Sequence, residues 1–208
     1  LNAEQEAAAF LDPDKGVETI QDALQGASDI LAEEISDQAD LRKQLRELAQ
    51  RRGVLVSKAA QAEPEDTVYR LYYDFRCPVG RLHGHQILAM DRGEREKVLK
   101  VSLELDPETA HVTVRRAAVP GAACMDFVRA AADDAYDRLI QPSLEREIRN
   151  ALTQQADEGA IHMFALNLKP LLMQPPVKGK VTMGLDPGYR MGCKVAVVDP
   201  TGKVLDTT

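Results

Sequence analysis

The chain has 208 residues, of which 44% are apolar and 28% are charged, and its net charge is −7. This length suits one ordinary folded domain or a little more, and the apolar fraction excludes wholesale disorder. No apolar run approaches the ~20 residues that a membrane span requires. Residues 1–40 hold eleven acidic residues and one basic residue, so the remainder has a net charge of +3 and can still present basic surfaces.

The cellular location is predicted from the N-terminus and the cysteines. The first residue is Leu1 rather than Met, which suggests a piece of a longer chain. No basic and then apolar leader follows it, which favours a cytoplasmic protein. Cys77, Cys124 and Cys193 are odd in number and widely spaced, so we expect reduced thiols rather than a disulfide framework.

Two amphipathic helices are predicted in the first quarter of the chain. Apolar residues recur every three or four positions over residues 17–35, and again over residues 37–52. Ser36 or Asp37 can cap the start of the second helix, and we expect Gly53 to follow its last turn.

The middle of the chain mixes short elements. Leu99, Val101, Leu103 and Leu105 alternate with polar residues, which is typical of a half-buried strand. We predict a polar loop over 61–66, a short helix over 67–76, helical turns over 85–90, a strand over 98–105, and either helix or strand over 111–119.

The longest helical pattern covers residues 122–173. Its apolar positions run along one face from Leu144 to Leu171, and we expect Pro142 to kink or divide the helix. Three prolines are expected to stop it: Pro170, Pro175 and Pro176.

A change of pattern after the prolines predicts a β-containing segment. The expected strands cover 181–185, 193–198 and 203–206, joined by turns at 186–188 and 199–202. The predicted fold class is therefore mainly α, with a long central helix and a small β element.

Asp186-Pro187-Gly188 has two interpretations. A carboxylate at the end of a buried strand can ligate the metal ions of a two-metal nuclease, and a similar turn in actin-like ATPases meets phosphate. The same tripeptide is also ordinary turn chemistry, which is the interpretation that the local sequence favours. Catalysis would require further carboxylates on other strands.

The histidines are weaker candidates. His83-Gly84-His85 is a possible metal-binding pair, but no third ligand lies near it in sequence, so an exposed loop and helix start is favoured. His111 and His162 occur singly, and we expect packing roles for them.

A dense basic stretch is the candidate nucleic-acid-binding site. Over residues 41–58 six basic residues face one acid, Glu47, which suits contact with phosphates, although a solvated helix face that pairs with acidic neighbours is the alternative. The six are Arg42, Lys43, Arg46, Arg51, Arg52 and Lys58.

Several stretches, in order, resemble the bacterial Tex family of transcription accessory proteins. The resemblance extends over nearly the whole chain. The matching segments are 23–33, 85–94, 134–139, 142–149, 184–190 and 192–194, which include HQILAMDRGE, DAYDRL, PSLEREIR and GLDPGYR.

The resemblance implies a cytoplasmic, multi-domain, nucleic-acid-binding protein. Such proteins combine a helical N-terminal region, an RNase H-like YqgF domain, helix-hairpin-helix elements and an OB-fold RNA-binding domain, and are similar to a eukaryotic elongation factor that binds RNA polymerase. It implies a helical region over residues 1–176 and, over 177–208, the first strands of an α/β RNase H-like domain. In this sequence Asp186 matches one resolvase-type metal ligand, and magnesium would belong to the complete domain.

The sequence thus predicts a helical scaffold within a protein that binds RNA or DNA. RNA polymerase is a further predicted partner, and no binding to a membrane is expected. We expect no catalysis and no cofactor from this chain by itself. Two alternatives stay open: a metal-dependent nuclease that uses Asp186, and a protein–protein interaction module for the transcription machinery.

Overall fold

A computed structural model describes residues 2–61, 66–118, 125–175, 177–188 and 192–208. The chain divides into two compact units, Leu1–Ala160 and Ile161–Thr208. Parts of the predicted loop over 61–66 and the first three residues of the helix predicted over 122–173 lie outside the described residues, as does Cys124. In the described part of the chain, no helix has both the length and the apolar character needed to cross a membrane.

The first unit begins with three α-helices: α1 (Ala3–Ala7), α2 (Ile20–Ser36) and α3 (Ala39–Arg52). The start of α2 is fixed by a capping box, in which the Thr19 hydroxyl accepts the Asp22 N–H and the Asp22 carboxylate accepts the Thr19 N–H. The two predicted N-terminal helices are therefore present, with ends that differ by a few residues.

The predicted N-cap of α3 is wrong, whereas Gly53 follows the last turn of the helix as predicted. Gln38 occupies the N-cap position without a side-chain hydrogen bond, because Ser36 belongs to the last turn of α2 and its hydroxyl donates to the Glu33 carbonyl. Gly53 follows the helix in an extended conformation, with φ −65° and ψ 146°. A glycine is needed there because a Cβ atom would collide with the Ala49 carbonyl oxygen.

A three-stranded antiparallel sheet lies in the first unit in the order β2-β1-β3. Its strands are β1 (Val54–Ala59), β2 (Asp74–Pro78) and β3 (Leu99–Glu104). The strand predicted over 98–105 is confirmed as β3. The short helix predicted over 67–76 is wrong, because pairing with β1 makes Asp74–Pro78 a strand and leaves only a 3₁₀ turn at Arg70–Tyr72.

An ion pair spans one face of this sheet. Arg76 on β2 and Glu104 on β3 meet across the central strand, with 2.6 Å between Nη2 and the carboxylate oxygen. Val56 of β1 lies opposite Arg76 and Ser102 on the same face and is buried. The aliphatic stems of long charged residues can contribute to such burial.

Helix α4 (Gly84–Arg95) packs on the other face and is longer than the turns predicted over 85–90. Met90 lies in a core cluster with Leu99 and Val101 of β3. Gly93 lets the helix approach the strand closely, because a Cβ atom there would lie 2.5 Å from Leu99 Cδ1.

The segment predicted over 111–119 as either helix or strand is helical in its described part, where it belongs to α5 (Pro107–Ala118). The long helical stretch follows as α6 (Met125–Asp134), a π-helical segment (Ala135–Ile140) and α7 (Gln141–Leu172). Pro142 therefore neither breaks nor divides the helix. The π-helical turn immediately before it widens the backbone where the proline ring would clash with the carbonyl of residue 138.

Side chains hold the π-helical segment in place. Tyr136 is buried, and its pKa is raised to about 12. Burial is the main cause, and the negative charge of Asp137 adds to it. His111 packs its ring edge-on against Tyr136, and its Nε2 lies 2.9 Å from an Asp137 carboxylate oxygen. Ser143 donates its hydroxyl to the Ile140 carbonyl.

The main core of the first unit lies among α2, α3, α5, α6, the π-helical segment and the first half of α7. Leu41, Leu45, Val114 and Ile140 are almost completely buried in it. Each such side chain stabilises the fold by roughly 1.5–3 kcal/mol relative to exposure. The mainly α fold class predicted from the sequence is confirmed.

The second unit contains the end of α7 and a three-stranded antiparallel sheet in the order β4-β5-β6. Its strands are β4 (Thr182–Gly188), β5 (Gly192–Val198) and β6 (Val204–Thr207). The helix continues through Pro170 and ends two residues later, so this proline does not stop it.

Candidate nucleic-acid interface

Arg42 and Arg46 of α3 are directed at α7. Arg42 Nε donates to the Ser36 carbonyl at 2.5 Å, and its Nη1 donates to Ser143 Oγ at 3.0 Å. One turn further along both helices, Arg46 Nε donates to a Glu147 carboxylate oxygen at 2.5 Å. Two of the six predicted phosphate-binding residues therefore join helices within the fold.

The other two arginines of the set lie at the end of α3. Arg51 is paired with Glu47 of the same helix, with 2.9 Å between Nη2 and the carboxylate oxygen. The positive charge of Arg52 interacts with the Asp106 carboxylate, which directly precedes α5. Hydrogen bonds from Thr109 are the main cause that lowers the pKa of Asp106, and the positive charge of Arg52 adds to it.

The two lysines of the set lie on different elements. Lys43 is exposed on α3, whereas Lys58 lies on β1, opposite Asp74 and Lys100 of the flanking strands. The six residues thus lie on two elements, five on α3 and Lys58 on β1. Their role in binding nucleic acid stays a prediction.

Asp186 does not sit in a turn. It belongs to β4 and lies opposite Lys194 of β5. The turn predicted at 186–188 is therefore wrong. It failed because antiparallel pairing with β5 continues to Gly188.

Within the described residues, the surroundings of Asp186 do not complete a metal site. Two-metal catalysis requires several converging carboxylates. Among the described residues no group of three or more histidine, cysteine, aspartate or glutamate side chains could hold a metal ion, and Asp186 has a lysine as its cross-strand partner. We derive no metal-dependent step from it.

His83 and His85 stack on each other, with 5.7 Å between ring centroids and an interplanar angle of 8°. His83 is the N-cap of α4, as its backbone N–H donates to the Gln86 side chain. Within the described residues this pair lacks the third ligand that a metal group would need. The pair therefore lies at an exposed helix start, which is the interpretation that the sequence favours.

Three charged side chains close the outer edge of the sheet. On β3, the outward N–H group of Val101 donates a hydrogen bond to the Glu94 carboxylate of α4 at 3.3 Å. The outward N–H group of Leu103 donates to the Glu145 carboxylate of α7 at 3.1 Å. Arg149 of α7 donates to the Val101 carbonyl at 3.2 Å. An edge strand covered in this way cannot pair with another strand.

Arg149 is the centre of this arrangement. Its guanidinium donates two hydrogen bonds to Glu94 and lies 3.5 Å from Asp91, which accepts a hydrogen bond from Thr153 at 2.7 Å. Burial opposes the charge of Arg149, but the neighbouring carboxylates, Glu94 first, raise its pKa. The arginine is therefore held charged in a half-buried site.

A polar cleft of about 900 Å³ opens beside this arrangement, between α4 and α7. Sequence reasoning missed it, because the residues that line it are separated by about fifty positions. A spacing of i, i+4 places Glu145 and Arg149 on one helix face, but nothing in the pattern tells which strand they meet. The lining residues are Asp91, Glu94, Arg95, Pro142, Glu145, Arg146, Arg149, Asn150 and Thr153.

Comparison with known proteins identifies the family. Residues 1–164 match the family model described as Tex central region-like. The chain belongs to the Tex family. Residues 180–208 match the model of the Tex protein YqgF-like domain, which agrees with the resemblance seen in β4 and β5. The domain boundary between residues 176 and 177 stays a prediction.

Named relatives lie in bacteria and in animals. The chain is 41% identical to the uncharacterized protein YdcI of Bacillus subtilis over 96% of this chain and 28% of that protein. It is 38% identical to Protein tex of Bordetella pertussis over 97% of this chain and 27% of the relative. It is 35% identical to human S1 RNA-binding domain-containing protein 1 over 96% of this chain and 22% of the relative. The chain thus spans about a quarter of the length of these Tex relatives.

Proposed function

We propose that this chain serves as the helical scaffold of a nucleic-acid-binding transcription accessory protein. A relative from Neisseria gonorrhoeae carries the name transcriptional accessory protein Tex, and the human relative is named for an S1 RNA-binding domain. These names support a role connected with transcription and RNA. The proposed location is the cytoplasm.

The scaffold part of the proposal rests on basic side chains that form hydrogen bonds within the fold. Arg42, Arg46 and Arg149 each bond to another element of the first unit, at distances between 2.5 and 3.2 Å. A side chain used in this way is not free to neutralise phosphates, which is the main source of affinity in sequence-independent binding. This observation favours a supporting role over that of a principal nucleic-acid-binding module.

The test compares a full-length relative with its matching region. Protein tex of Bordetella pertussis, whole and cut to the residues that match this chain, is titrated into labelled single-stranded RNA and duplex DNA, with this chain alongside. We expect the whole protein to bind at physiological salt, and the two short chains to bind only weakly at low salt. Equal affinity of the whole and the cut protein would contradict the scaffold role, and no binding by the whole protein would contradict the nucleic-acid role.

An interaction module for the transcription machinery is the second candidate. It is favoured by Val68 and Leu71, two neighbouring apolar side chains that are 87% and 83% exposed. Where such side chains belong to a larger contiguous apolar patch, the patch marks a surface on which another protein docks. The proposed partner is RNA polymerase. Capture of polymerase by the wild-type chain after nuclease treatment, and its loss in V68S/L71S, would support this candidate, whereas capture that nuclease abolishes would contradict it.

A further inference from the structure

The polar cleft between α4 and α7 separates its charged residues by depth. Asp91, Glu94, Glu145 and Arg149 are half-buried, whereas Arg95 and Arg146 are exposed. The exposed amide of Asn150 lies on the same helix, one turn after Arg146. The inner part of the cleft therefore carries the acids, and its accessible part carries two guanidinium groups.

Each carboxylate that lines the cleft already has a hydrogen-bond donor within the fold. Glu94 accepts from Arg149 and from the Val101 N–H, and Glu145 accepts from the Leu103 N–H. Asp91 accepts from the Thr153 hydroxyl. These acids hold the sheet edge and Arg149 in place, so they are not directed at a ligand in the cleft.

The two exposed arginines are different. Within the described residues, neither Arg95 nor Arg146 is within ion-pair distance of an acid, and the contact found for Arg146 is a hydrogen bond of 3.3 Å from Nε to the Pro142 carbonyl. Eight of the other thirteen arginines of the first unit, such as Arg115 and Arg138, are within ion-pair distance of an acid in the described part of the chain. Two unpaired guanidinium groups on facing helices have donors left for an anion.

We propose that this cleft binds the phosphate backbone of a nucleic acid through Arg95 and Arg146, a site that rests on the proposed function. A guanidinium group presents parallel N–H donors that match a phosphate, and arginine is favoured where such a match is used. The formal charge of the lining is zero, with three acids and three arginines. Attraction is therefore short-ranged, and the binding is weak, independent of sequence and sensitive to salt.

The salt dependence of binding supplies the test. The affinity of the chain for labelled single-stranded RNA is measured by fluorescence anisotropy over a range of low salt concentrations. Removing two phosphate contacts should lower the slope of log K against log salt by about 1.4, since each contact with a single strand contributes roughly 0.7. R95Q/R146Q should show this loss, and R95K/R146K should keep most of the wild-type slope.

A charge-matched control separates contact from bulk charge. Arg81 and Arg116 are exposed, do not line the cleft and have no acidic partner among the described residues. R81Q/R116Q removes the same charge and should leave the slope unchanged. Urea midpoints equal to that of the wild type exclude unfolding as the cause.

Three outcomes would overturn the site. A slope that falls equally in R95Q/R146Q and in the control would mean that only net charge matters. An absence of RNA binding by the wild-type chain at low salt would remove the cleft as a phosphate site while leaving the scaffold proposal intact. If R95Q/R146Q instead abolishes binding to polyglutamate and leaves RNA binding unchanged, the cleft takes an acidic protein segment.

Discussion

The first and second units carry similar apolar sequence patterns but bury them differently. Helix α7 keeps an apolar face from Leu144 to Leu171, yet Ala156 is its last buried residue, and Phe164 is 66% exposed. Among the described residues of the second unit none is buried, whereas the first unit has two core clusters. Periodicity therefore indicates that a face is apolar, but not whether the chain supplies something to cover it.

The largest expected difference between the two units is in local stability. Amide hydrogens of β4, β5 and β6 should exchange far sooner than those of α7 between Leu144 and Ala156. A three-stranded sheet without a buried face opens at little free-energy cost, whereas core elements open at up to the global value, about 5–15 kcal/mol. Hydrogen exchange followed by mass spectrometry measures this. Equal protection would show that the second unit is stabilised by something other than its own burial.

Leucine truncation should show the same contrast in a single side chain. Leu45 is 0% exposed and Leu185 is 65% exposed. Leu45→Ala should lower the free energy of unfolding by about 2–5 kcal/mol, because it leaves a cavity, and Leu185→Ala should change it by less than roughly 0.5 kcal/mol. Urea unfolding followed by circular dichroism measures both. A large effect of Leu185→Ala would mean that this side chain is covered in solution.

Ion pairs of different burial should differ more modestly. Arg149→Met removes the partner of Glu94 and of the Val101 carbonyl, and we expect a loss of about 1–3 kcal/mol from the groups left unsatisfied. Arg129 and Asp126, 3.5 Å apart and exposed, provide the matched control, and Arg129→Met should cost less than roughly 1 kcal/mol. The same urea titrations measure both variants, and equal costs would contradict the central place given to Arg149.

The smallest expected effect is on acid stability. Hydrogen bonds from Thr109 lower the pKa of Asp106, and hydrogen bonds from Thr201, Lys203 and their neighbours lower that of Asp199. A lowered carboxylate pKa contributes stability above the ordinary value of 3.8, and this stability is lost as pH falls through the lowered value.

The two positions can be compared by asparagine substitution. Asp106→Asn should weaken the pH dependence of unfolding of the first unit below pH 3.8, and Asp199→Asn should do so for the second unit. NMR signals assigned to each unit during acid titration measure both. A change that appears in both units for either variant would contradict the local origin of these shifts.

Most helices and four of the six described strands, β3, β4, β5 and β6, are predictable from the sequence, because their patterns are local. Residues 17–35 and 98–105 have the periods of a helix and of a half-buried strand, and both elements are present. The central strand β1 is not predicted, since Leu55 and Val56 are both buried although they point to opposite faces. Val56 shares its face of the sheet with the Arg76–Glu104 ion pair, whose residues come from two other strands.

The candidate site is less predictable than the fold. The basic stretch over 41–58 is visible in the sequence, but the partners of Arg42 and Arg46 lie 101 positions away in α7. Charge composition gives the number of guanidinium groups and not how many are already engaged. For the same reason Arg95 and Arg146 do not stand out in the sequence, since what distinguishes them is that they line the cleft and have no acidic partner among the described residues.

The π-helical segment Ala135–Ile140 has a consequence for how length changes are tolerated. An α-helix turns by about 100° per residue, so deleting a residue at Ala151 would rotate Thr153 and Ala156 away from the neighbours they contact. A π-helical turn contains about one residue more than an α-helical turn, so a deletion within 135–140 can be absorbed by tightening that turn. Glu145 and Arg149 would then keep their angular phase toward β3. The segment therefore tolerates the loss of one residue without turning the rest of the helix out of register.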